Sequence, residues 1–380
     1  MKFKKKSVHI ITGLGQGGAE SILSKLVVKL KDENADYKQI VISLTSLDYH
    51  TEKIRLSGVE VHHVNMKGLL DLKSFHRLYK LVKKINPDVV FTWMYHANLI
   101  GGFVSKFFFR KKVIWNIHHA YVDSDSLRFP TRVIAYLCSF FSYLIPEKII
   151  FCSSKGLINH CKIYYSKSKC IVVYNGYDEN IYKPNKDQRS NLRNKFGVND
   201  NELIIGLVAR WHPVKDHYNF IDAIDIVLNK CQSNFRIIMV GEGVDESNLE
   251  LVNYLKKSNL LDSFILYGMS DNVSEIYNMI DINVLSSKAE AFPNSLAESM
   301  LCGTPCVSTN VGDASVIIDK FGWVCNPLNS LDLSNSIIKS IEFIKLNGKD
   351  NIGALSRDFV SKKFNSKIML DQFNALLKVD

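Results

Sequence analysis

Residues 283–313 read NVLSSKAEAFPNSLAESMLCGTPCVSTNVGD and hold two carboxylates that could bind a polyol. A strand is expected to end at Ser286, Glu290 falls in the loop after it, and Glu298 lies in the helix that follows. An ionised carboxylate accepts hydrogen bonds from hydroxyl groups. A loop Glu at the strand ends can therefore hold a sugar, and a helical Glu can hold a ribose diol. Asn294 or Ser295 is expected to cap the helix, with Glu298 in its first turn. The amides of Phe292, Asn294 and Ser295 point out of the helix start, where an anion binds. The plain structural alternative is a capping carboxylate and a helix-surface Glu.

Two further stretches carry charge or close backbone. GLVARWHPVKDH puts Arg210 at a strand end and Lys215 just before a helix. Two cations there suit a pyrophosphate; two unremarkable surface cations are the alternative. IIMVGEG ends another strand with Gly241 and Gly243, a flexible turn at the same sheet edge. At the other end of the chain, VHIITGLGQGGAESIL spells G-x-G-x-x-G with Gly13, Gly15 and Gly18. Lacking a Cβ, Gly15, Gly17 and Gly18 let the backbone approach a phosphate. A dehydrogenase would need an acid closing the next strand, and the one candidate, Asp48, sits late. A tight turn with no ligand is the alternative.

The elements that must position these residues alternate along the chain. Strands are expected near 7–12, 38–44, 59–64, 88–93, 112–117, 148–152 and 170–174, with helices such as 18–30 and 73–85 between them. Residues 175–201 are polar and read as a linker with one short helix. The pattern restarts with strands at 203–209, 235–240, 263–267, 282–286, 305–309 and 322–325. Helices fit 216–230, 245–258, 273–280, 295–302, 331–346 and 365–378. This predicts an α/β fold of two similar domains, each a parallel sheet with helices on both faces. Ligands in such folds bind at the carboxyl ends of the strands.

Composition narrows the class. The chain has 380 residues, 46% of them hydrophobic, and a net charge of +10. A basic chain suits polyphosphates or an anionic membrane surface; no zinc module or RNA-binding aromatic signature supports nucleic acid. The eight cysteines lack paired spacing, and no secretory signal precedes them, so they read as reduced and mostly buried in a cytoplasmic protein. Cys302 and Cys306 flank Gly303 and Pro305, a helix end and not a metal site. The N-terminal Lys2, Lys4, Lys5 and Lys6 form either a lipid-attracting cluster or a solvated tail. The apolar run VIAYLCSFFSYLIP, 133–146, is too short to span a bilayer. It reads first as a buried core helix, and second as a helix resting on a membrane or greasing an acceptor groove.

The Glu290–Glu298 stretch, the Arg210–Lys215 strand end and GLGQGGAE together resemble the family-4 retaining glycosyltransferases. So do NPDVVFTWMYHANLIGG, VIWNIHH, IIFCSS, VYNGYD and the closing helix FNSKIMLDQFNALL. The resemblance covers nearly the whole chain. It implies a GT-B fold: two facing Rossmann-like domains, with a last helix crossing back to the first. The domains would be 1–180 plus 363–380 for the acceptor, and 181–362 for the nucleotide-sugar donor.

The resemblance also implies roles. Arg210 and Lys215 would hold the donor pyrophosphate, Glu298 the ribose and Glu290 the donor sugar. Backbone from Phe292 through Pro293 and Asn294 to Ser295, with Gly241 and Gly243, would line the donor. His118 would face the donor sugar. Gly15, Gln16, Gly17 and Gly18 would lie against diphosphate or acceptor. Neither cofactor nor metal is implied. The implied reaction moves a hexose-type sugar, with UDP the first choice of nucleotide, to a glycan or polyprenyl-pyrophosphate-linked acceptor in cell-surface polysaccharide assembly. Peripheral contact with the inner membrane face fits that setting. Three positions depart from the family pattern: Ala291 and Asp216 replace glycines, and His119 doubles His118. A nucleotide-sugar epimerase of the same fold and an NAD-dependent dehydrogenase are the rival readings. Domain closure on the donor would use 175–201 and the crossing helix as hinge.

Overall fold

A computed structural model describes residues 5–378, apart from 35, 46, 69–70, 124–126, 200–201 and 232–234. The chain forms two compact units, Met1–Gly176 with Ser366–Asp380, and Tyr177–Asn365.

The first unit runs β1 (Lys5–Ile11), α1 (Gly18–Glu33), β2 (Tyr37–Ser43), α2 (His50–Leu56), β3 (Glu60–His63), α3 (Leu72–Ile85), β4 (Val89–Trp93) and α4 (Met94–Phe103). It continues through β5 (Lys112–Ile117), α5 (Phe129–Phe141), β6 (Lys148–Phe151), α6 (Ser154–Lys162) and β7 (Cys170–Val172). The strands form one parallel sheet in the order β3-β2-β1-β4-β5-β6-β7. Central strands such as VVFTW are buried along their whole length, as a strand covered on both faces must be. Leu23, Leu26 and Val27 of α1 cover one face, and Leu78 and Val82 of α3 belong to the core on the other.

The second unit runs α7 (Lys186–Lys195), β8 (Leu203–Val208), α8 (His217–Lys230), β9 (Phe235–Val240), α9 (Leu249–Lys257), β10 (Phe264–Gly268) and α10 (Val273–Met279). Then come β11 (Ile282–Leu285), α11 (Asn294–Leu301), β12 (Cys306–Thr309), α12 (Ala314–Ile318), β13 (Gly322–Cys325), α13 (Ser330–Asn347) and α14 (Lys349–Lys363). Its sheet is parallel, in the order β10-β9-β8-β11-β12-β13. The final helix, α15 (Ser366–Leu377), belongs to the first unit. Met369, Leu370, Phe373 and Leu377 join the α1 side of that core, and Tyr37 Oη donates to Leu377 O at 2.6 Å.

Three expectations change. The stretch 175–201 is not a free linker, because from Tyr177 onward it is built into the second unit. Arg189 and Arg193 of α7 reach the buried Asp281 at 2.6 and 3.2 Å, and Lys349 approaches it at 3.7 Å. A buried carboxylate requires such partners, and they fasten α7 in place. Lys2 and Lys4 lie outside the described residues, while Lys5 and Lys6 open β1 and are no solvated tail. Lys6 N donates to Asp88 Oδ2 at 2.7 Å and Lys6 Nζ to Ile85 O at 2.8 Å. Finally, α5 is a core helix on one side only. Ile134, Ala135 and Cys138 are buried, whereas Phe129, Tyr136 and Phe140 are exposed. Among the described residues, no helix is long and apolar enough to cross a membrane.

Candidate functional site

In the second unit the strand order reverses between β8 and β11, which pair directly. Loops leaving such a pair diverge and open a crevice at the carboxyl ends. The loops here hold Arg210 and Lys215 on one side and Glu290 on the other. They are tied together: Ser286 Oγ donates to Lys215 O, and Lys288 N to Val214 O, both at 2.8 Å. Lys215 Nζ donates to Glu290 Oε1 at 2.5 Å and Ser287 Oγ to the same oxygen at 2.7 Å. Two donors on one oxygen fix the carboxylate's direction, and Oε2 takes part in neither bond. Arg210 is exposed at the end of β8, and no described residue engages its guanidinium. Asp216 stands at the N-cap position of α8 with φ 51°, a left-handed conformation that Asp tolerates better than most residues. Its carboxylate faces Lys288 Nζ at 3.3 Å, and burial raises its pKa against that cation's pull.

The start of α11 differs from expectation. Pro293 holds the N-cap position, so Asn294 and Ser295 are the first helical residues and Glu298 falls in the second turn. Proline's fixed φ suits the entry to a helix, and its missing N–H removes one donor there. Asn294 Oδ1 instead accepts from Tyr177 Oη at 2.5 Å. The Phe292 ring packs between Tyr177 and Phe364, at 6.4 and 5.2 Å between centroids. Glu298 Oε1 accepts from Tyr182 Oη at 2.8 Å and Oε2 from Tyr277 Oη at 3.2 Å. Burial first, then the Glu298 charge, raises both phenol pKa values, so both stay donors. Two phenol donors thus fix the direction of the Glu298 carboxylate.

Gly241 and Gly243 support this crevice from behind. A Cβ on Gly241 would stand 2.2 Å from Ala209 O, and one on Gly243 3.1 Å from Trp211 Cβ. Both glycines thus allow the β9 turn to press on the backbone flanking Arg210. Gly312 does the same for the other loop: at φ 53° its Cβ would lie 2.4 Å from Glu290 O.

In the first unit the reversal falls between β1 and β4. The glycine loop leaves β1, and Gly17 is the N-cap of α1 with φ −102°. Gly15, Gln16 and Gly17 are half-buried, and Gly18 is exposed. A Cβ on Gly15 would lie 3.3 Å from Asp48 Oδ2, so the acid sought for a ribose packs against this loop. His118 follows β5 and stacks on Trp93 at 5.3 Å. Burial, then the neighbouring His119, lowers its pKa to about 3, which keeps the ring neutral at pH 7. His119 stacks instead on Tyr95 at 5.2 Å, toward the hydrogen-bonded pair Tyr95 Oη and His160 Nε2. The two histidines therefore part: His118 goes to the end of β4 and His119 to the α6 side.

Comparison with known proteins decides what these loops belong to. Residues 16–180 match the family described as Glycosyltransferase Family 4, and residues 188–347 match Glycosyl transferases group 1. The chain belongs to the family-4 glycosyltransferases. This glycosyltransferase is 24% identical over 337 residues to UDP-Gal:alpha-D-GlcNAc-diphosphoundecaprenol alpha-1,3-galactosyltransferase of Escherichia coli, covering 88% of this chain and 84% of that one. It is 26% identical over 226 residues to N-acetyl-alpha-D-glucosaminyl L-malate synthase of Bacillus anthracis, covering 59% of this chain and only 57% of that protein. Among solved structures, HepE of Anabaena in complex with UDP-glucose superposes with a TM-score of 0.85 at 20% identity, over 98% of this chain and 99% of that one. That likeness gives the glycosyltransferase the GT-B fold. None of these relatives is named an epimerase or a dehydrogenase.

Sequence reasoning about this glycosyltransferase missed Ser287, Tyr182, Tyr277, Trp93 and Gly312. Ser287 and Gly312 stood inside the quoted 283–313 stretch, where a turn glycine followed by Asp313 was a usable signal. The tyrosines had none, since Tyr182 meets Glu298 across 116 residues.

Proposed function

We propose that the protein transfers a hexose-type sugar from a nucleotide diphosphate, UDP foremost, to a lipid-diphosphate-linked or other glycan hydroxyl, with retained configuration. The observation behind this reading is the Lys215–Glu290 pair at the β8–β11 reversal, with the unengaged Arg210 beside it. The Escherichia coli relative's name carries both a UDP-sugar and a diphosphoundecaprenol acceptor, and HepE holds UDP-glucose; these support the choice of donor and acceptor class. The setting is polysaccharide assembly on the cytoplasmic side of a membrane.

In this reading the second unit takes the donor and the first the acceptor. Arg210, Lys215 and the α11 amides meet the diphosphate charge without a metal or cofactor. Charge developing on the leaving oxygen is stabilised there, an effect worth several kcal/mol, of order 3. Glu298 accepts from the ribose hydroxyls. Glu290 Oε2 accepts from a donor-sugar hydroxyl while Lys215 and Ser287 hold Oε1. Neutral His118 offers a ring N–H to the sugar. The bond from anomeric carbon to phosphate oxygen breaks, the acceptor oxygen bonds to that carbon on the same face, and the phosphate oxygen takes the acceptor proton.

A nucleotide-sugar panel, run with and without EDTA, tests this. UDP-sugars are expected to be turned over in EDTA, and NMR of the product is expected to show the donor's anomeric configuration. An inverted product removes the same-face mechanism. Loss of turnover in EDTA removes the metal-free diphosphate site. Epimerised donor formed without acceptor would favour the rival enzyme.

A further inference from the structure

Helix α5 has a second apolar face that the protein does not cover. Phe129 is 70% exposed, Val133 43%, Tyr136 51%, Leu137 42% and Phe140 67%, and Tyr143 and Leu144 extend the row past the helix end. The spacing, four then three or four residues, sets these side chains on one stripe. Its opposite stripe, Ile134, Ala135 and Cys138, belongs to the core with Trp115 and Ile149. Such side chains together expose several hundred Å², roughly the size at which apolar patches become interaction sites.

The charges along the stripe itself have one sign. No acidic residue occurs between 127 and 146. Arg128 precedes the helix and is exposed, and the Arg132 guanidinium lies 5.7 Å from the Phe129 ring centroid. At the far end Lys169 Nζ donates to Tyr143 O at 2.7 Å, and Lys106 stands 3.9 Å from Glu147, the one acid at that edge. A second copy of this chain would set a basic rim against a basic rim. An anionic lipid surface offers what the face lacks: acyl chains for the aromatics and negative headgroups for the rim. Because α5 follows β5 in a parallel unit, its first turn lies at the sheet edge where His118 stands.

We propose that the outer face of α5, from Phe129 to Leu144 with Arg128 and Arg132 at its start, docks the protein on an anionic bilayer. This deepens the lipid-linked acceptor reading, because it brings the candidate acceptor unit to the surface where such an acceptor resides.

Vesicle sedimentation of the full chain tests it. The wild type is expected to sediment with phosphatidylglycerol–phosphatidylethanolamine vesicles, and about tenfold less with phosphatidylcholine alone. Phe129→Ser with Phe140→Ser, and separately Arg128→Gln with Arg132→Gln, are each expected to lower binding about tenfold or more. Melting temperature and donor hydrolysis should be unchanged. Wild type left in the supernatant with anionic vesicles overturns the proposal, as do variants that sediment normally. A wild-type dimer in light scattering that the Phe variant dissociates would assign the face to a second copy. Vesicle binding without turnover of any nucleotide-sugar would leave the docking face standing and remove the proposed reaction.

Discussion

Lys215 and Glu290 form an ion pair half sheltered from water, and each limits what the other can do. Lys215 spends its charge on the carboxylate that it aims, whereas no described residue engages Arg210, which in the proposed reaction meets the diphosphate. Arg210→Ala is therefore expected to lower kcat by about 100-fold, the order seen when one transition-state donor is removed, with a smaller change in KM. Steady-state kinetics checks this, and equal loss in KM alone would assign Arg210 to simple binding. In the proposed reaction Glu298 is the opposite case, a carboxylate held by two phenols that binds the ribose. Glu298→Ala is expected to weaken UDP binding about tenfold, the value of a hydrogen bond to a charged group. Tyr182→Phe should weaken it less but erode discrimination between UDP and its 2′,3′-dideoxy form. Titration calorimetry with both nucleotides checks the pair. If Glu298→Ala removes discrimination and Tyr182→Phe does not, the tyrosine packs without positioning.

At the scale of elements, the end of β4 is a junction. Trp93 lies between His118 at 5.3 Å and Phe373 of α15 at 6.0 Å, the latter nearly parallel at 2°. Trp93 Nε1 donates to His9 Nδ1 at 3.3 Å, and His9 Nε2 pairs with Gln39 Oε1 at 3.2 Å. The last helix thus reaches the candidate histidine through one indole. Trp93→Leu should loosen the ring, admit water, and let the His118 pKa rise from about 3 toward its ordinary 6.5. NMR titration of the imidazole reads this directly. An unshifted pKa alongside lost activity would mean that Trp93 acts on the fold and not on His118.

For the molecule as a whole, acid is the weak side. Burial lowers His9, His50, His119, His160 and His217 to about 4 and His118 to about 3. Each is neutral when folded and charges near 6.5 when unfolded. Between those values the unfolded state binds more protons, so stability rises with pH. Their contribution is whole above about pH 6.5 and is lost progressively as pH falls toward about 4. Five of the six lie in the first unit. Calorimetry from pH 7.5 to 4.5 is expected to show a falling transition temperature, led by the first unit. A flat profile would show these rings protonated in the fold.

Much was legible in the sequence for a local reason. A strand covered on both faces must be a short apolar run bounded by turns, so VVFTW and VIWNI announce themselves. The Glu290–Glu298 spacing and the Arg210–Lys215 strand end lie within single loops and carry the family resemblance. What the tertiary structure decided is pairing between distant segments. Lys215 meets Glu290 across 75 residues, and Arg193 meets Asp281 across 88, turning an apparent linker into a clamped helix. The same holds for 133–146, where the residues are apolar nearly all round. Periodicity cannot choose which stripe faces the sheet and which faces out. That choice belongs to Trp115 and Ile149, with which one side of α5 packs, leaving Phe129 and Phe140 to water or to a membrane.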